Sequence, residues 1–248
     1  MASSRTQTED GTEMEWRKPT LFSIINEKLE NANKKNLLHR MVYISRLRTH
    51  AQSQDPNYVG NEYKKFFKDL QSALHSEAIT GLLLIYHQHI VHIIETSSDM
   101  LLKIVKDLHQ SEQDKFSIIS KSKILGVTHD IPDRLYSQWS YRALDIEAMN
   151  LEQYEPSEET YKVVADMLIQ VYRLGVYLHR KPSLNLKNVL DYLHDHVPEF
   201  LPQQAIIYFL LKDNDNSMMR PSEYIHIHTS PFDLNLESEF VWPVDTTL

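Results

Sequence analysis

Apolar positions recur with two periods along this chain. Leu21, Ile24, Ile25 and Leu29 follow Thr20 near helical spacing and predict a helix over 20–34, docked through that stripe. Thr20 suits its N-cap, and Lys34 and Lys35 suit its C-terminal end. LHRMVYISRL, 38–47, is apolar and β-branched and predicts a strand. Residues 49–61 predict a loop. Phe66, Phe67, Leu70 and Leu74 then share one face of a predicted helix over 62–77. Ile79–Tyr86 and His89–Ile94 flank His87-Gln88 and predict a hairpin. A Ser cap and apolar residues at 101, 104, 105 and 108 predict a helix over 97–110. Residues 115–131 are β-like with extra residues, and 134–144 predict a short final strand. This order predicts an α+β fold with a ferredoxin-like arrangement: one antiparallel sheet with two helices on one face.

Beyond 147 the pattern turns helical. Residues 157–181 predict a long helix with acidic residues in its first turn, stopped by Pro182. LNLKNVLDYLHDH and PQQAIIYFLLKD predict two shorter helices. The expected organisation is a disordered tail over 1–18, a helix within 19–36, a sheet domain over 37–146, a helical extension over 147–214, and an extended docking tail over 215–248. Phe232, Leu234, Phe240 and Trp242 are that tail's candidate partner-docking residues, since aromatic anchors dominate interface hot spots.

Composition narrows the function classes. A net charge of −8 disfavours nucleic acid as a partner, because phosphate binding needs clustered Lys and Arg. With no cysteine, disulfides, thiolate chemistry and Cys-based metal centres are excluded. The N-terminal residues lack the apolar core of a signal peptide, and no apolar run reaches the ~20 residues of a membrane helix, so a cytoplasmic protein with no membrane partner is expected. The five glycines are too scattered for a phosphate loop or a dinucleotide fingerprint.

Three pieces resemble the BLUF domain, the flavin-binding blue-light sensor. MVYISR is similar to its first strand, with Tyr43 at the family's tyrosine. ITGLLLIYHQHIVHIIE is similar to its central hairpin, with Thr80-Gly81 and Glu95 at the family's threonine-glycine and glutamate. RLYSQWSY is similar to its closing motif, with Trp139 at the tryptophan. The resemblance spans roughly 38–144 and implies a BLUF-like ferredoxin-like sandwich.

The departures concentrate where the family holds its flavin. His92 stands at the switching glutamine, Leu74 at the flavin-binding asparagine, and Tyr141 at the methionine two residues after the tryptophan. The segment after the second helix is longer, and HQSEQDKFS lacks the family's basic-histidine motif. Leucine can neither donate to nor accept from a flavin carbonyl. Each buried polar atom so left unpaired costs about 1–3 kcal/mol. No cofactor, FAD included, is therefore expected. The alternative is a divergent flavin photosensor or redox sensor with Tyr43 as electron donor and His92 as switch.

The whole chain also resembles a vertebrate testis-expressed family. That likeness implies an accessory component of the sperm flagellum or axoneme, with axonemal or other cytoskeletal proteins as partners.

Other candidates carry bland readings. His87, His89 and His92 fall on a turn where alternation separates His92 from the other two, so no shared metal site and a solvated turn are expected. His194 and His196 diverge on a helix, while His226 and His228 would share a strand face. Asp99 and Glu95 show no partner arrangement for acid–base work, and no Gly-x-Ser-x-Gly elbow frames a nucleophile. No catalytic residue, no metal and no enzyme activity are expected.

Overall fold

The computed structural model describes residues 20–31, 36–74, 78–146, 151, 154, 158–181, 186–212 and 217–231. The chain divides into two compact units, 1–36 and 37–248. In the first, α1 (Leu21–Asn31) begins where Thr20 Oγ1 accepts the Ser23 N–H at 3.1 Å, as its capping role requires. None of its residues is buried. The expected N-terminal tail lies outside the described residues.

The second unit is built on a five-stranded sheet in the order β4-β1-β3-β2-β5. The strands are β1 (Leu38–Leu47), β2 (Thr80–Ile85), β3 (His89–Ser97), β4 (Ile119–Thr128) and β5 (Trp139–Ala143). β1 pairs antiparallel with β3 and β4, and β2 with β3, but β5 runs parallel to β2. The sheet is thus mixed where an antiparallel one is predicted. The hairpin closes at His87-Gln88, with the Tyr86 N–H on the His89 carbonyl at 2.8 Å. Beyond β4, the Met219 carbonyl accepts the Ile124 N–H at 2.9 Å and covers part of that strand's outer edge.

One face carries α3 (Pro56–Leu74) and α4 (Ser98–Gln113). α3 starts well before the predicted 62, within the expected loop, and a short helix, α2 (Thr49–Gln52), precedes it. Asp55 explains the start: its side chain accepts the Asn57 N–H at 2.9 Å, and Pro56 opens the first turn.

The other face is covered as well, contrary to the one-sided sandwich the sequence predicts. α5 (Thr160–His179), α6 (Leu186–Asp191), α7 (Leu193–His196) and α8 (Gln204–Lys212), with a 3-10 turn at Pro198–Phe200, carry apolar residues into a core shared with β1, β2 and β3. Val42, Ile44, Leu82, Leu84, Val91 and Ile93 face this layer; Met41, Tyr43, Leu83, Ile85, Ile90 and Ile94 face α3 and α4. Every residue of β2 and β3 is consequently buried. Near-continuous apolar runs are what two-sided burial selects.

α9 (Pro221–Thr229) lies within the region predicted to be an extended tail. Glu223 reaches back to the Arg220 N–H at 2.9 Å, Pro221 fits the first turn, and Tyr224 packs in the core beside α4. The remainder of that tail, with Phe232, Leu234, Phe240 and Trp242, lies outside the described residues.

Candidate functional site

Antiparallel pairing of β1 with β3 sets Tyr43 directly opposite His92, both pointing toward α3 and α4. Trp139 arrives from β5, and Tyr63 and Phe67 from one face of α3. His92 is fully buried at the centre of these rings, with centroids 5.1 Å from Tyr43, 5.1 Å from Tyr63, 5.8 Å from Phe67 and 6.0 Å from Trp139.

Its two ring nitrogens are both engaged. Trp139 Nε1 donates to His92 Nε2 at 2.9 Å, and His92 Nδ1 lies 2.7 Å from the Tyr43 hydroxyl. An indole N–H only donates, so Nε2 must be unprotonated. Burial depresses the imidazole pKa to about 3, so the ring is neutral and its proton sits on Nδ1. Nδ1 therefore donates to Tyr43, and Tyr43 passes its own O–H to the Tyr63 oxygen at 3.3 Å. The result is a directed chain, Trp139 to His92 to Tyr43 to Tyr63. Burial raises the pKa of both tyrosines, and the proximity of Asp107 raises them further, so both phenols stay protonated.

Tyr141 closes the same side of the sheet. A Cβ on Gly60 would lie 2.2 Å from Tyr141 Cδ2, so the ring sits directly on the α3 backbone, and its hydroxyl donates to Asn61 Oδ1 at 3.0 Å. The residue at the family's methionine position thus joins β5 to α3. Leu74, at the family's asparagine position, is the last residue of α3.

The motif positions that match the family serve a second arrangement. Glu95 is fully buried, and Arg40 donates to its Oε1 from Nε at 2.8 Å and from the terminal nitrogen at 2.7 Å. The Thr80 hydroxyl donates to Oε2 at 2.8 Å, and the backbone N–H groups of Leu135 and Tyr136 add bonds at 2.9 and 3.3 Å. Arg134 bonds the Thr80 hydroxyl and the Glu95 carbonyl at 3.0 and 2.9 Å. Arg40 also lies 5.6 Å over the Tyr172 ring of α5. Glu95 therefore has a full partner set, where the sequence shows none, and it pins the 133–136 segment to the sheet. Gly81 has φ +147°, and a Cβ there would meet the Ile93 carbonyl oxygen at 2.1 Å, so only glycine fits. Thr80, Gly81 and Glu95 hold the fold.

The remaining histidines separate. His87 is exposed, whereas His89 is fully buried, which corrects the solvated-turn expectation. His89 faces α8 with its ring 6.1 Å from Tyr208, neither ring nitrogen is paired, and burial depresses its pKa to about 4. His226 and His228 lie on α9, not on a strand, two residues apart and so about 200° around the helix. His228 stacks on Tyr224 at 4.0 Å and approaches His129, which bonds His39 between Nδ1 atoms at 3.0 Å. His194 pairs with Asp195 at an exposed 3.3 Å. Among the described residues no group of three or more His, Asp or Glu is arranged to hold a metal ion. No described helix is long and apolar enough to cross a membrane.

Sequence reasoning missed Tyr63, Asn61, Arg40 and Arg134. Gly60 gave no warning of the close approach of Tyr141, because it falls in the stretch that reads as loop, where glycine is ordinary; only its place inside α3 makes it unusual.

A family model described as testis-expressed protein 47 matches residues 37–230. Solved structures that the chain is similar to include BlrB, a BLUF protein in its dark state, at 21% identity over 44% of this chain and 73% of that one, with a TM-score of 0.33. A bacterial light-regulated adenylyl cyclase is 20% identical over 62% of this chain, with a TM-score of 0.34; this chain covers 39% of its length. Klebsiella pneumoniae BlrP1 with FMN and cyclic diGMP is 14% identical over 67% of this chain and 37% of that one, with a TM-score of 0.35.

Proposed function

The chain belongs to the testis-expressed protein 47 family, and from that premise we propose that it is a non-enzymatic interaction protein of the sperm flagellum, an axonemal accessory component whose BLUF-like core carries no flavin photochemistry. Its partners in this reading are axonemal or other cytoskeletal proteins. One observation carries the loss of photochemistry: both nitrogens of His92 are committed to protein groups, Tyr43 and Trp139. A switch that signals through a flavin needs a side chain free to exchange partners with it. Tyr141 supports the same reading by closing β5 directly against the α3 backbone at Gly60 and bonding Asn61. The flagellar part rests on the testis expression in the family's description.

Two measurements test it. Purification of the full chain in the presence of FAD or FMN should yield a colourless protein, and a stoichiometric yellow complex would establish the photosensor alternative. Cross-linking in intact sperm, read by mass spectrometry, should join the chain to axonemal proteins. Recovery of the protein solely as free monomer from the soluble fraction would remove the flagellar role.

A further inference from the structure

The outer side of α5 and the residue just beyond it carry two residue pairs at the same spacing. Ile169 and Val176, 46% and 40% exposed, lie seven residues apart, with the partly buried Tyr172 between them. Arg173 and Arg180, also seven apart and exposed, run beside them. Seven residues are about two helical turns, so each pair repeats along the axis as one stripe. The Phe200 ring of the 3-10 turn stands against Tyr177, with centroids 6.3 Å apart, and forms one wall of a groove of about 540 Å³ over these stripes.

The groove is basic in an acidic chain. Among the described residues no carboxylate pairs with Arg173 or Arg180, although the chain carries a net charge of −8. Arg40 and Arg142, in contrast, are each paired with a carboxylate of this chain, Glu95 and Asp191. An apolar stripe flanked by unpaired guanidinium groups complements a ridge that is apolar along its crest and acidic along one flank. The spacing selects a helix for that ridge. Ile169, Tyr172 and Val176 follow steps of three and four residues, the seam against which a second helix packs at about +20°. Seven helical residues rise roughly 10.5 Å, so an incoming helix repeats in step with both pairs. Same-face residues of an extended strand recur about every 6.7 Å and fall out of step.

We propose that this face of α5 docks an amphipathic helix of another protein, one with an apolar seam and two Asp or Glu residues seven positions apart that meet Arg173 and Arg180. The carboxylates take bonds from the guanidinium groups at a solvent-accessible rim, and Ile169, Val176 and Phe200 supply the burial. A contact running from Ile169 to Arg180 is roughly 17 Å long, about three turns of the incoming helix. The surface is argued apart from the flagellar reading, which stands if this docking site fails.

Fluorescence anisotropy with the full chain and two synthetic helical peptides tests it. Both peptides carry a leucine seam over three heptads; one is flanked by glutamate and the other by lysine. The glutamate peptide should bind and the lysine peptide should not. Arg173→Glu with Arg180→Glu should weaken the glutamate peptide by about tenfold or more and admit the lysine peptide. Val176→Asp should remove binding of the glutamate peptide. These side chains are exposed, so each variant should keep the urea midpoint of the unaltered protein. Binding of both peptides alike, binding of neither, or unchanged binding in the variants overturns the proposal. A dimer in light scattering that the double arginine substitution dissolves also overturns it, because a second copy then fills the groove. Binding to phosphatidylserine vesicles that the same substitution abolishes does so too, because the face then meets a membrane.

Discussion

Trp139 donates its indole N–H to His92 Nε2 across 2.9 Å, which leaves Nδ1 as the sole protonated nitrogen of a neutral ring. The tautomer can be read directly by ¹⁵N chemical shifts. We expect Nε2 to resonate as an unprotonated and Nδ1 as a protonated nitrogen, unchanged between pH 7 and about pH 5. The opposite tautomer would break the Trp139 bond, since an indole N–H cannot accept, and reverse the bonds from His92 through Tyr43 to Tyr63. Trp139→Phe leaves Nε2 a buried acceptor without a donor and should cost about 1–3 kcal/mol in chemical denaturation.

Glu95 is the anchor of the loop before β5. Glu95→Gln removes the charge that balances Arg40 and weakens the acceptor for two backbone N–H groups. Breaking one side of a buried pair costs about 3–5 kcal/mol. Arg40→Met should cost at least as much, because it leaves the fully buried Glu95 carboxylate without its cation although the Thr80, Leu135 and Tyr136 donors remain. Hydrogen exchange should show the 133–136 amides opening first in Glu95→Gln. Equal loss of protection across the whole sheet would mean the carboxylate acts globally and not through that loop.

Gly60 and Tyr141 make a pair whose coupling has a predictable sign. Alanine in mid-helix is favoured over glycine by about 1 kcal/mol. Here the added methyl collides with the Tyr141 ring, so Gly60→Ala should instead destabilise by about 1–3 kcal/mol. In a Tyr141→Ala background the collision is gone, and the same change should stabilise. A double-mutant cycle without that sign reversal would rule out the ring as the reason for the glycine. Gly81→Ala has no such rescue, since it meets a backbone oxygen at positive φ.

Much of the sheet was legible because Met41–Ile44, Leu82–Ile85 and Ile90–Ile94, the last broken only by His92, are apolar runs too short for a buried helix. The same continuity hid the second layer. A run apolar at every position does not say which element covers each face, and α5–α8 are far away in sequence. α9 is hard to read for a different reason: it buries little besides Pro221 and Tyr224, so it has almost no stripe, and its start is marked by Pro221 with Glu223 alone. At the site, the resemblance led to Tyr43, His92 and Trp139, which the fold does bring into one chain of bonds. Tyr63 and Arg134 were beyond reach, because nothing local marks a residue whose partner is 20 or 54 positions away. Thr80, Gly81 and Glu95 do structural work in this chain, through the carboxylate's bonds and the close backbone approach at Gly81.

Buried neutral histidines set the acid limit of the fold. Desolvation holds His92 at about 3 and His89, which also faces Arg46, at about 4, both below the ordinary value of 6.5. Below pH 6.5 the unfolded chain takes up protons at these positions and the folded chain does not. Stability is therefore complete above pH 6.5 and falls as pH drops, by about 1.4 kcal/mol per unit for each group, until the folded-state pKa is reached. His39 and His228 are shifted in the same direction, by burial first and by the nearby His129 as well, and add to the loss. Asp107 works the other way: burial raises it to about 6, so the folded state binds its proton first and part of the slope is offset. Urea midpoints should fall from pH 7 to pH 5. Asp107→Asn should steepen that fall, and His89→Leu should flatten it by about one proton. A midpoint that holds steady or rises toward pH 5 would mean that water or rearrangement relieves both buried rings before they titrate.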